Sequence, residues 1–114
     1  MGMGLELEWE HVAGPFNRLT EGPAWDGERL LFTYIPGSRI MAYDPITSET
    51  TVYRENTNHT NGLAFDTDGN LYGCCSGGRS IVRFESDGTT TTIVDQLDGQ
   101  RLNTPNDLAI DRQG

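Results

Sequence analysis

The chain has 114 residues and a formal net charge of −9, which argues against nucleic acid or an anionic membrane surface as a partner, since both require a basic footprint. Its 35% hydrophobic and 22% charged residues are ordinary for a packed globular domain, and no stretch approaches the roughly 20 apolar residues of a membrane span. Residues 1–10 carry acidic side chains at 6, 8 and 10 and no apolar run of signal-peptide length, so a cytoplasmic protein is expected.

Turn signals then cut the chain into short runs of β-forming residues. Trp9 and Val12 fall in a first short strand, broken by Gly14-Pro15. Residues 19–25 lead into the next, and Asp26-Gly27 is a hairpin signal before the apolar run 30–35. Pro36-Gly37 turns the chain into 39–43, Asp44-Pro45 ends that strand, and 50–54 alternates polar and apolar as a solvent-facing outer strand does. The plan then repeats: strand 62–66, a turn at Thr67-Asp68-Gly69, strand 70–74, a turn at Ser76-Gly77-Gly78, strand 80–84, and a β-branched outer strand over 89–94. Residues 100–105 lead into a further strand at Asn106. No segment has helical periodicity of useful length, so the chain is expected to be all-β. Cys74 and Cys75 are adjacent in a strand and project to opposite faces, one inward and one outward, as two free thiols.

One pattern returns three times. Glu21-Gly22-Pro23-Ala24-Trp25-Asp26 aligns with Asn61-Gly62-Leu63-Ala64-Phe65-Asp66 and with Asn106-Asp107-Leu108-Ala109-Ile110-Asp111. From Gly22 to Gly62 is 40 residues and from Gly62 to Asp107 is 45, the period of a four-stranded propeller blade. An immunoglobulin-like sandwich explains neither the period nor the motif. The repeat divides a single propeller domain into blade 1 at about 19–55, blade 2 at about 60–96 and the start of blade 3 at about 104–114. Two blades and part of a third cannot close a ring, so the chain is expected to be the N-terminal part of a longer protein, with assembly of several copies as the alternative.

The first strand of every blade lines the central channel, so Glu21, Asn61 and Asn106 would converge on the axis. A carboxylate and amide oxygens without Cys or His are hard ligands, suited to Ca²⁺, Mg²⁺ or Mn²⁺ more than to a structural zinc. Asp26, Asp66 and Asp111 follow every copy, which marks a turn device. Trp25 and Phe65 share one blade position and are expected to pack between blades. Asn106-Asp107 after Pro105 also reads as a turn sequence. His59 stands two residues before Asn61, near the channel mouth if the blades are as described.

Glu21-Gly22-Pro23-Ala24-Trp25, Asn61-Gly62-Leu63-Ala64-Phe65-Asp66 with Gly69-Asn70-Leu71-Tyr72, and Arg101-Leu102-Asn103-Thr104-Pro105-Asn106-Asp107-Leu108 together resemble the gluconolactonase and regucalcin-like (senescence marker protein) family of sugar lactonases. The resemblance runs from about Leu19 onward, and its most specific element is Leu-Asn-x-Pro-Asn-Asp. It implies a six-bladed β-propeller, of which this chain supplies about two and a half N-terminal blades. It also implies one divalent cation in the channel, Ca²⁺ first with Mg²⁺, Mn²⁺, Zn²⁺ or Fe²⁺ as alternatives, and hydrolysis of a sugar or related small lactone to the hydroxy acid. On this resemblance Glu21 is the metal-ligating glutamate and Asn106 the channel asparagine that touches the metal, or the substrate through it. Asn61, His59 and Asp107 are substrate-binding or channel-lining candidates. The family's aspartate, the usual metal ligand and candidate general base, belongs to a later blade beyond Gly114, so these residues alone are expected to be inactive. Many gluconolactonase-type members carry a His near Ser76, where this chain has Cys75-Ser76-Gly77, a departure that points to a different lactone preference. Two other functions fit the architecture: a propeller that binds a cation or ligand without turnover, and a strictosidine synthase-like or phosphotriesterase-like propeller, which fits Leu-Asn-x-Pro-Asn-Asp less well. The partner implied is a small lactone; the oligomeric state is not legible.

Overall fold

The structure is a computed structural model and describes residues 14, 16, 20–97, 99–103, 105 and 107–111. Strands β1 (Thr20–Trp25), β2 (Leu30–Tyr34), β3 (Arg39–Asp44) and β4 (Glu49–Arg54) form one antiparallel sheet in sequence order, and β5 (Thr60–Phe65), β6 (Leu71–Cys75), β7 (Ser80–Phe84) and β8 (Thr90–Val94) form a second. Each sheet is the four-stranded meander of a propeller blade, so the fold is all-β and a partial β-propeller. Between β2 and β3 lies a single 3₁₀ turn, Ile35–Gly37. Among the described residues no helix is long and apolar enough to cross a membrane.

Aspartates build the turns that end the inner strands. Asp26 Oδ1 accepts the N–H of Glu28 at 2.8 Å. Asp66 Oδ1 accepts the N–H groups of Asp68 and Asn70, each at 2.9 Å, while its Oδ2 accepts from Asn70 Nδ2 and the Tyr72 hydroxyl, each at 3.0 Å. These bonds, the Asn70 amide first, hold the Asp66 carboxyl below the usual aspartate value. The turn device expected at Asp26 and Asp66 is therefore an Asx turn closing each β1–β2-type hairpin.

Alternation decides which face of each sheet is buried. Leu31, Ile40 and Ala42 of the first sheet meet Leu63, Leu71, Cys75, Val82 and Phe84 of the second in one apolar core, with Ala24 and Phe65 at its border. Each large aliphatic buried there contributes roughly 1.5–3 kcal/mol. Arg54 at the end of β4 adds a link between sheets, bonding the Glu85 carbonyl and lying 5.6 Å over the Phe84 ring.

Three expectations change. Phe65 packs against the core as expected, but Trp25 is 55% exposed. The two pair identically within their sheets, Trp25 with Leu30 and Phe65 with Leu71. That face of the second sheet rests on the first, whereas the same face of the first sheet turns away from the second. On that outer face Phe16 meets the rings of Phe32 and Tyr34, with centroids 5.5 Å away in both cases. The second change concerns the thiols, which are both free and both buried, Cys74 at 0% and Cys75 at 5% exposure. Cys75 Sγ lies 3.2 Å from Thr60 Oγ1 on the side of the first sheet, and Cys74 on the opposite face feels the charge of Asp107. Both faces of β6 are covered, so neither thiol is outward.

The third change is that Pro105 and residues 107–111 are not in a strand. An inner strand draws its ladder bonds from the second strand of its own blade, and among the described strands none pairs with 107–111. A short hairpin, β9 (Gln96–Leu97) with β10 (Gln100–Arg101), precedes it instead. Asn106 lies outside the described residues, as does the strand expected around Trp9 and Val12.

Burial, then the Asp107 carboxylate, pushes the Cys74 thiol from 9.0 up to about 11. The folded state keeps a proton that the unfolded chain releases, so this stabilisation is present below pH 9 and is lost as pH rises toward 11. Chemical denaturation of the complete protein at pH 8 and pH 10.5 is expected to show a loss on the order of 2 kcal/mol. Cys74→Ala should flatten that part of the profile; an unchanged slope would show that other groups carry it.

Candidate metal centre

The register puts Glu21 opposite Thr33 at the end of β2, and Thr60 opposite Cys75 at the end of β6. Both inner strands are irregular at this end, between Glu21 and Ala24 in β1 and between Thr60 and Leu63 in β5. There the two strands meet. A Cβ on Gly22, whose φ is 58°, would stand 2.2 Å from the Asn61 carbonyl oxygen, so only glycine permits this approach. Thr33, fully buried, places its Oγ1 3.0 Å from the carbonyls of both Glu21 and Asn61. The first two repeat-equivalent residues are thereby neighbours across adjacent blades.

The Glu21 side chain is exposed, and among the described residues its carboxylate receives one weak hydrogen bond, from the Gly22 N–H at 3.4 Å. The ion pairs among those residues lie elsewhere, at Arg29–Asp26, Arg39–Glu55 and Arg83–Glu85. Among the described residues no basic side chain pairs with the Glu21 carboxylate. Asn61 is half-buried and its Oδ1 is shielded from solvent. Among the described residues no three His, Cys, Asp or Glu side chains cluster as a metal-holding group. The exposed Glu21 carboxylate is a hard donor of the kind that Ca²⁺, Mg²⁺ or Mn²⁺ takes, with further oxygen ligands required from elsewhere.

His59 sits on the loop that joins the blades at this end. Its N–H bonds Ser38 Oγ at 3.0 Å, its Nδ1 lies 3.0 Å from the Ile35 carbonyl, and its own carbonyl accepts the Ser76 N–H at 3.2 Å. A carbonyl only accepts, so Nδ1 carries the proton in this contact and Nε2 is the ring nitrogen left for a further partner. Asn56, Asn58 and His59 all hold positive φ, at 54°, 54° and 55°, a concentration of strain kept in place by these cross-loop bonds. Asp107 is exposed, and its Oδ1 accepts the Leu108 N–H at 2.9 Å. Ser76 donates its hydroxyl to the Pro105 carbonyl at 3.2 Å. The residue that sequence patterning missed is Thr33: a β-branched side chain in a strand is ordinary, and its role exists only where two strands distant in sequence meet.

Residues 19–114 match the family model described as SMP-30/Gluconolactonase/LRE-like region. The chain belongs to this family. It is 26% identical to a gluconolactonase of Zymomonas mobilis subsp. mobilis, an alignment covering 83% of the chain and 31% of that protein. Among solved structures it is similar to a gluconolactonase from Xanthomonas campestris, with 35% identity and a TM-score of 0.79 over 83% of this chain and 32% of that one. Regucalcin of Agrobacterium tumefaciens, a calcium-binding protein, shares the fold at 17% identity and a TM-score of 0.53 over 76% of this chain and 30% of its own. The chain thus spans about a third of the length of these family relatives.

Proposed function

We infer that the complete protein hydrolyses a sugar or related small lactone to its hydroxy acid, with a divalent cation held in the channel by Glu21 and Asn106. Asn61 lines the same mouth. The observation that carries this is Glu21, its carboxylate without an ion-pair partner among the described residues and its backbone joined through Thr33 to that of its repeat-equivalent Asn61, in a chain of the gluconolactonase family. When bound, the cation supplies a Lewis acid for the lactone carbonyl. Glu21 offsets its charge, and the amide oxygens complete part of a hard-donor shell, for which Ca²⁺ is the first choice. His59, with Nδ1 committed to the Ile35 carbonyl, presents Nε2 to accept a hydroxyl of a polyhydroxy substrate. Asp107 lies beside the third inner segment and steadies its backbone through the Leu108 N–H.

The test uses the complete protein and glucono-1,5-lactone, with hydrolysis followed by acid release above the spontaneous rate. Chelation is expected to abolish the excess rate, and Ca²⁺, Mn²⁺ or Zn²⁺ to restore it. An excess rate unmoved by chelation would remove the cation from the mechanism, and no excess rate with any of these metals would end the lactonase proposal for this substrate class.

A further inference from the structure

We propose that Thr33 is a positioning residue for the cation site: its hydroxyl fixes the separation of the strands that carry Glu21 and Asn61. The inference rests on the metal reading above. The side chain is fully buried, and its Oγ1 stands 3.0 Å from both carbonyls, so its one proton is shared between the two inner strands. Both contacts fall where the β1 ladder is interrupted between Glu21 and Ala24 and the β5 ladder between Thr60 and Leu63. A side-chain bond takes over where regular backbone pairing is broken. Thr33 itself is fully buried, and a hydrogen bond made from a low-dielectric position is stronger than one in water, so the hydroxyl holds the two carbonyls at a set distance.

The second sheet provides an internal comparison. Counting from the residues that pair with Trp25 and Phe65, Leu30 and Leu71, the position of Thr33 is occupied by Cys74. A thiol is a weak donor, and on that side Ser76 donates to the Pro105 carbonyl. The Asp26 and Asp66 turns recur in both sheets, whereas the position of Thr33 carries a hydroxyl in the first sheet, at the junction of Glu21 with Asn61, and a thiol in the second.

The experiment measures Mn²⁺ binding by calorimetry and thermal melting on the complete protein, for Thr33→Val, Thr33→Cys and Thr33→Ser. Ile40→Val, at the buried residue opposite Thr33 in the sheet, is the control for plain core loss. Thr33→Val is expected to weaken Mn²⁺ binding about tenfold, Thr33→Cys to fall between it and wild type, and Thr33→Ser to stay within about threefold of wild type. Ile40→Val should lower the melting temperature with Mn²⁺ affinity unchanged. If Thr33→Val does not fold, Thr33→Cys carries the test. Wild-type Mn²⁺ affinity in the Val or Cys variant, or equal weakening by Ile40→Val at the same loss of melting temperature, overturns the role of Thr33 alone. A wild-type protein that binds no divalent cation overturns the metal reading and this inference with it.

Discussion

Replacing Glu21 with Gln in the complete protein is expected to lower Mn²⁺ affinity and lactone turnover together, each by about a hundredfold or more, exceeding the 10–100-fold typical of a residue that only supports a metal ligand. The amide is nearly isosteric and keeps one oxygen, so the strand geometry survives while the charge that balances a divalent cation is removed. Glu21 is exposed, and no basic side chain among the described residues pairs with it, so the melting temperature of the metal-free protein should hardly move. Calorimetry and kcat/KM on the same preparation check this. Turnover that falls with metal affinity intact would make Glu21 something other than a ligand, and both parameters unchanged would remove it from the site.

Gly22→Ala should be the most damaging single methyl in the described part of the chain. Its φ of 58° costs an L-residue about 1 kcal/mol or more, and the added Cβ would meet the Asn61 carbonyl oxygen at 2.2 Å. That oxygen belongs to backbone and cannot rotate away. A loss of about 3–5 kcal/mol is expected, in the range reserved for severe overpacking with backbone strain. Gly27→Ala is the matched comparison: its φ is 105°, yet nothing stands within 4 Å of its Cβ position, so only the conformational cost of about 1 kcal/mol applies. Denaturant midpoints of the two variants separate the effects. Equal losses would mean that the close approach of β1 and β5 contributes nothing. Where Gly22→Ala still folds, the strands must part, and cation affinity should fall with them.

Much of the fold was legible because its determinants are local. Asp26-Gly27 and Asp66 to Gly69 close hairpins through bonds spanning only a few residues, and strand Ser80–Phe84 falls where alternation and turn residues bracket it. The repeat of Glu21 and Asn61 pointed to neighbouring positions because register carries the same residue to the same place in each blade. The neighbourhood itself could not be read. Thr33, Gly22 and the Asn61 carbonyl form one contact whose members are separated along the chain by as many as 39 residues. His59 was visible as a residue near the mouth, but its committed Nδ1 depends on a carbonyl 24 positions earlier.

By itself the sequence determined the strand order, the turn chemistry, the blade period and the family, since each acts over a few residues or through repetition. Only the tertiary structure decided which face of each repeat is covered, leaving Trp25 exposed where Phe65 packs and burying both Cys74 and Cys75. The physical reason is common to these cases: alternation assigns a side chain to a face and a backbone group to an edge, but only the neighbouring sheet determines whether that face meets protein or water and whether that edge finds a partner.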